Sequence, residues 1–227
     1  MSKKRSVMRS RAGDPTLTRR DVLQGASGLL AATVFPAASA AAPGRAQAAN
    51  AARSTDVTGR LARYMVESRD RTLPPEVARD AKHRILDTLG AIVSGARLTP
   101  GEMAVQYVRG QGGTPEASVF TTGIRTSAVN AALANGMFGH ADETDDFDPD
   151  TKAHPGCVVV PAAMAMAERE NRSGMETLKA VVLGYDLCCR FLQALDADLV
   201  RETHRSAEGT GATMGAVAAA ASLARLD

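Results

Sequence analysis

Between Gly139 and Glu168 the chain reads GHADETDDFDPDTKAHPGCVVVPAAMAMAE. His140, Asp142, Glu143, Asp145, Asp146, Asp148, Asp150 and His154 crowd into its first half, and an apolar run from Cys157 to Ala167 follows at once. Carboxylates this dense repel one another. A solvated loop tolerates them, and so does a site in which one carboxylate is held basic by its acidic neighbours and an imidazole stands opposite. The apolar run favours the site, because it pins the loop to a core. The matching chemistry is removal of a proton next to a carboxylate, followed by loss of a β-hydroxyl or of carbon dioxide. Asp142 or Glu143 is the candidate base, and His154 and His204 are the candidate proton donors. Lys152, Arg201 and Arg205 are cations for an anionic substrate.

Metal chemistry reads less well. Asp146, Asp148 and Asp150 alternate as at the start of a calcium loop, but Thr151 stands where the loop needs Gly and Cys157 where it needs Glu. His140, Asp142 and His154 have zinc or iron ligand types, yet their spacing matches no compact motif. No metal is therefore assigned from sequence, although a metal-dependent hydrolase is kept as a third reading.

Helices must position these groups. Ala is abundant, aromatics make up 4% of the chain and Trp is absent, a mix that suits close-packed helices better than sheets. Asp56 is a predicted cap for a first helix with Val57, Leu61, Tyr64 and Met65 on one face. Pro75 is a predicted first residue of a second, with Val77, Ala81, Ile85, Leu89, Ile92 and Val93 as its inward stripe. His83 falls off that stripe, and Asp87 reads as solvated or as a polar contact near a pocket. Thr99-Pro100 opens a third helix, with Met103, Tyr107 and Val108 inward, closing at Gly110, Gly112 and Gly113. Ala117 to Phe120 is a brief strand or an extended link.

Ser127 caps a small-residue helix that delivers His140. The next helix runs from Cys157 to Glu170 with Pro161 expected in its first turn. Ser173-Gly174-Met175-Glu176 is a capping box. It opens a helix with Leu178, Val181, Val182, Tyr185 and Leu192 inward. Arg201 to Glu208 reads as a polar loop carrying His204, before a final helix of very small residues. Gly209, Gly211 and Gly215 lack the spacing and the preceding strand of a dinucleotide fingerprint, so they are assigned to close helix packing.

Charge and cysteine bound the rest. Residues 1–48 hold eight Lys/Arg against two Asp/Glu, and the remainder nineteen against twenty-three. The basicity belongs to the N-terminal stretch, and the body carries no nucleic-acid patch. Thr18-Arg19-Arg20-Asp21-Val22-Leu23 is a twin-arginine core, followed by an apolar run to Phe35 and by A-x-A options at Ala38–Ala40 and Ala46–Ala48. Residues 1–48 are thus predicted as a twin-arginine signal peptide and flexible leader, with periplasmic or secreted destination. The run is too short for a stable membrane span. Residues 49–227 form the predicted domain. Cys157, Cys188 and Cys189 show no metal spacing, and the adjacent pair on a helix cannot readily bridge.

His140-Ala141-Asp142-Glu143-Thr144-Asp145-Asp146 and Ala153-His154-Pro155-Gly156-Cys157-Val158-Val159-Val160-Pro161-Ala162-Ala163 resemble the signature of the MmgE/PrpD family. Gly184-Tyr185-Asp186, the His204 loop and Gly209-Thr210-Gly211-Ala212 are similar to later family segments, in order. The resemblance covers about Asp56 to Asp227. It implies an all-α helical-bundle N-terminal domain, a homodimer and a cofactor-free site for small di- or tricarboxylates, as in 2-methylcitrate dehydratase. The family's pocket acids and the His of its His-Pro step map onto Asp142 to Asp146 and His154, with either Asp142 or Glu143 at the catalytic carboxylate position. A second pocket His maps onto His204. The candidate catalytic residues are thus Asp142, Glu143, Asp146, His154 and His204, with His140 and Asp145 beside the substrate and Lys152 and Arg205 near it in sequence. Arg205 stands where relatives often have Pro. Family members are longer, so the smaller α/β domain and the catalytic Lys and Tyr residues are expected from a second segment or a second polypeptide. A non-catalytic periplasmic binding or scaffolding domain is the alternative, and the sequence leaves open whether this chain is itself an enzyme.

Overall fold

In the computed structural model the described residues are 56–227, so the twin-arginine core and leader lie outside them. Their elements are α1 (Val57–Arg69), α2 (Pro75–Gly95), α3 (Thr99–Gln111), β1 (Ala117–Val119), β2 (Ile124–Thr126), α4 (Ala128–His140), α5 (Gly156–Arg169), α6 (Gly174–Leu195), α7 (Ala197–Glu202) and α8 (Ala207–Leu223). No described helix is long and apolar enough to cross a membrane.

The helix starts follow from local chemistry. Asp56 accepts the Gly59 N–H at 2.8 Å, Pro75 is the first residue of α2, Ser127 caps α4, and Ser173 with Glu176 forms the expected capping box on α6. The three side-chain caps accept from backbone donors that a helix leaves unpaired, and Pro75 removes one such donor by having no N–H.

α5 is apolar on nearly every side and is buried accordingly, from Gly156, Cys157, Val159 and Val160 to Ala163, Ala165 and Ala167. It is the wall between two cores. Ile92, Val108, Val119 and Phe138 fill one, joining α2, α3, β1 and α4. Val159, Val160, Val181 and Leu223 fill the other, joining α5, α6 and α8. Pro161 lies inside α5 and not in its first turn. It withholds an N–H from the Cys157 carbonyl, and Gly136 of α4 approaches that oxygen so closely that a Cβ there would be 3.1 Å away.

Several sequence expectations change. The chain is helical, but β1 pairs antiparallel with β2, Ala117 opposite Thr126 and Val119 opposite Ile124. Thr121 and Gly123 turn the hairpin with positive φ. Met103, Tyr107, Val93 and Val57 are more than half exposed, not inward. α3 instead buries Gly101, Ala104 and Val108. Against an alanine-rich neighbour such as α4, a small-residue face lets two helices approach more closely than a face of large side chains. The expected loop from Arg201 to Glu208 is shorter. Asp196 adopts φ +62, ends α6 and caps α7 through its carboxylate, and Ser206 already caps α8.

Of the three glycines of α8 assigned to close packing, Gly211 and Gly215 serve it, whereas Gly209 is exposed and a Cβ there would meet only the Ser206 cap at 3.3 Å. A Cβ on Gly215 would sit 2.5 Å from the Gly184 carbonyl and 3.0 Å from Val159, and a Cβ on Gly211 would collide with Leu192.

Candidate functional site

α4 ends at His140 and α5 begins at Gly156, so the acidic stretch is the connection between two helices fixed side by side. Asp148 shapes that connection. Its backbone N–H donates to the Ala153 carbonyl, its own carbonyl accepts from Lys152, and its carboxylate accepts from the N–H and hydroxyl of Thr151. Asp148 is thereby spent on a turn, which removes it from any calcium loop.

The turn folds Asp145 inward until its side chain is wholly inaccessible. His140 Nδ1 lies 3.1 and 3.2 Å from the two Asp145 oxygens. His154 Nδ1 lies 3.4 Å from Oδ2, off the line a hydrogen bond needs, and this buried nitrogen has no hydrogen-bond partner among the described residues. The two rings meet edge to face at 5.4 Å, and Phe147 packs on His154 at the same distance. His140 is half exposed and His154 about a quarter. One buried carboxylate thus serves two imidazoles that reach the surface.

Asp146 points the other way. Its Oδ1 accepts the Gly156 N–H at 2.8 Å, its Oδ2 accepts the Tyr185 hydroxyl at 2.8 Å, and Arg84 stands 3.8 Å off. Burial raises its pKa above the usual carboxylate range, opposed by the Tyr185 and Gly156 hydrogen bonds. Burial and the nearby Asp146 charge push the Tyr185 phenol up in turn. Asp146 therefore anchors the start of α5 and positions the loop. A shallow depression lined by Asp80, His83, Arg84 and Asp87 opens above it. His83 and Asp87 are exposed there.

Asp142 differs from its sequence expectation. Its carboxylate accepts from Ser94 and from Thr144, and these bonds hold it below the usual carboxylate range, not near neutrality. Glu143 is exposed with φ +54. Lys152 turns outward, donating to the Pro149 carbonyl and standing 5.7 Å over the Phe147 ring.

His204 and Arg205 are exposed in the turn between α7 and α8, His204 with φ +58. Among the described residues no hydrogen bond or ion pair joins either side chain to the two imidazoles; it is Arg201 that reaches the acidic connection, donating to the Thr151 carbonyl at 3.4 Å.

Sequence reasoning undervalued Asp145, because nothing in DETDD marks which acid is buried. It missed Arg84, Ser94 and Phe147 outright. Tyr185 was legible as an inward residue in Gly184-Tyr185-Asp186, but its hydroxyl's partner was not. For a metal, the residues whose donor atoms converge are His140, Asp145 and His154, all within 4.8 Å of one another, so Asp145 replaces Asp142 in the ligand set considered from sequence.

Helical bundle, acidic connection and His-Pro-Gly step belong together in one domain type: the MmgE/PrpD N-terminal domain matches residues 59–227, and the chain belongs to that family. It is 29% identical over 179 residues to the cis-aconitate decarboxylase-like protein oryM of Aspergillus oryzae, covering 75% of this chain and 36% of that protein. It is 26% identical over 178 residues to the cis-aconitate decarboxylase of Aspergillus terreus, covering 76% and 36%. Against the human cis-aconitate decarboxylase it is 32% identical over 155 residues, covering 65% and 32%. The chain thus spans about a third of the length of the curated relatives it matches.

Proposed function

We propose that this chain is the helical domain of an exported lyase or isomerase that moves a proton next to a carboxylate of a small di- or tricarboxylate. The single observation that carries the reading is the buried Asp145 carboxylate facing two imidazole Nδ1 atoms. Asp145 turns both Nδ1 edges inward and leaves Nε2 of each ring for substrate. It also offsets the positive charge that a ring gains on taking a proton. A protonated His154 then attracts a substrate carboxylate and delivers the proton.

The relatives named as cis-aconitate decarboxylases support a tricarboxylate. Loss of carbon dioxide leaves an electron pair on carbon, and that pair must be protonated, which is the role assigned to His154. In dehydration or epimerisation the first step is proton removal instead, for which the Glu143 carboxylate is the candidate base, since Ser94 and Thr144 occupy Asp142. His204 and Arg205, exposed in the turn between α7 and α8, enter the proposal as groups for the substrate's carboxylates. No cofactor is required by this scheme.

Three further parts of the proposal rest on sequence and surface. Arg19-Arg20 supports twin-arginine export to the periplasm. Val129, Leu133 and Met137 form an exposed apolar row on α4 that supports a homodimer. A second segment or polypeptide supplies further groups.

The test is co-expression with the segment or polypeptide that supplies the further groups, then incubation with cis-aconitate or citrate-like acids in heavy water, with NMR following deuterium uptake and carbon dioxide release. The isolated chain is expected to show little or no turnover. Deuterium is expected at the carbon next to a carboxylate, and His154→Ala and Asp145→Asn should each lower the rate by about 10²–10⁴-fold. Full-rate exchange in both variants would overturn the assignment. Calorimetric binding of these acids without any turnover would instead favour the binding-domain reading.

A further inference from the structure

We propose that His140, Asp145 and His154 form a binding site for a divalent transition-metal ion, held between two imidazole nitrogens and one carboxylate. The donor types are those of the two-histidine, one-carboxylate sites that take zinc, iron(II) or cobalt. Two donor pairs stand at the separation one ion needs, and the three donors lie within 4.8 Å of one another. His140 Nδ1 and Asp145 Oδ1 are 3.1 Å apart, and His154 Nδ1 and Asp145 Oδ2 are 3.4 Å apart. Donors bound at about 2.0–2.2 Å from one ion are separated by roughly this much along an edge of a tetrahedron or octahedron.

Two independent observations point to a ligand. The His154 Nδ1 is buried and lacks a hydrogen bond, so its lone pair or proton is unmatched in a place where water does not reach. The Asp145 side chain is wholly buried, and its close nitrogen neighbours are imidazoles, which carry charge only when protonated. A buried carboxylate needs a cation or several donors. Arg84 does not serve it, being directed to Asp146. One divalent ion satisfies the carboxylate and the orphaned nitrogen together.

The surroundings fit an outer shell. The Cys157 thiol donates to the His154 carbonyl at 3.3 Å and lies beside Asp145, restricting how carboxylate and ring rotate. Half-exposed His140 gives the ion a way in and leaves coordination positions open to water or a substrate oxygen. Nitrogen donors argue against calcium or magnesium, which prefer oxygen.

This site shares its three residues with the proton-transfer reading but goes beyond it. The ion takes the Nδ1 edges and the Asp145 carboxylate, whereas proton transfer uses Nε2, so ion-bound and proton-bearing forms are alternative states of one pocket. The experiment uses the 227-residue chain, stripped with chelator and titrated with Co²⁺, with visible absorption as readout and Zn²⁺ competition by calorimetry. One ion per chain is expected. His140→Ala and Asp145→Asn should each weaken binding at least about tenfold, while His83→Gln on the outer face of α2 should not change it. Circular dichroism reports whether each variant is folded. If Asp145→Asn fails to fold, the exposed His140 decides the matter alone. Absence of binding, or equal affinity in folded His140→Ala, overturns the proposal. Metal binding by the chain, with no deuterium exchange even when it is co-expressed with the segment that supplies the further groups, would sink the lyase reading and leave this one standing. Exchange by that metal-free assembly, with no Co²⁺ bound by the chain, would do the reverse.

Discussion

Asp145 and Asp146 are neighbours of one residue type with opposite fates. Asp145 faces imidazoles that reach solvent, whereas Asp146 faces the N–H of Gly156 and the phenol of Tyr185. The difference is testable in stability. Asp146→Leu leaves that N–H and O–H unpaired and should cost about 1–3 kcal/mol for each, measured by urea unfolding. Asp146→Asn keeps an acceptor for Gly156 and removes the buried charge. The Asp146 pKa is raised on folding, so its contribution to stability is full below the ordinary carboxylate pKa and is lost as pH rises through the raised value. The melting temperature of Asp146→Asn relative to the parent should therefore climb as pH increases through that window. A difference that stays flat with pH would show that burial does not disfavour the Asp146 charge.

At the scale of elements, glycines set how closely the helices pack. In the His-Pro-Gly step, a Cβ on Gly156 would stand 2.5 Å from both Asp146 Oδ1 and Thr88 Oγ1 and 2.9 Å from the Tyr185 hydroxyl. Only the bare backbone fits inside that network. At the α6–α8 crossing, Gly184 and Gly215 face each other through their carbonyls. Gly215→Ala must push α8 off α6 and should destabilise by roughly 1–3 kcal/mol, whereas Gly90→Ala, with nothing within 4 Å, should stabilise by about 0.5–1 kcal/mol. Thermal melts of the two variants check the contrast.

Both helix starts and element order were readable from Asp56, Pro75, Ser127 and Ser173, because a cap is a contact between residues three apart. The inward face of α3 was not readable. Met103 and Tyr107 satisfy a hydrophobic periodicity, but the neighbour that would have to receive them is α4, whose alanines favour close approach. β2 was missed for a related reason: Ile124–Thr126 is too short to show alternation, and it exists only through pairing with Ala117–Val119.

For the whole molecule, the exposed row of Val129, Leu133 and Met137 leads along α4 to His140, placing an apolar surface beside the candidate site. Leu133 is 43% exposed, so a charge there does not disturb the core. If the row is a dimer contact, Leu133→Lys should weaken self-association by about tenfold or more in analytical ultracentrifugation while leaving the melting temperature of the monomer unchanged. A monomeric parent protein, or a variant that dimerises equally well, would remove this face from consideration.

From its sequence alone this protein was determined to be helical, to belong among MmgE/PrpD-like chains, and to gather acids and histidines at one junction. Those features lie in caps, periodicity and a short motif, all of which are local. Only the tertiary structure decided that Asp145 is the acid shared by both imidazoles, that Asp146 is spent on Tyr185 and Gly156, and that Ser94 lowers Asp142. The physical reason is that burial and hydrogen-bond partners come from helices distant in sequence, and these determine what each carboxylate in a run of near-identical residues can do.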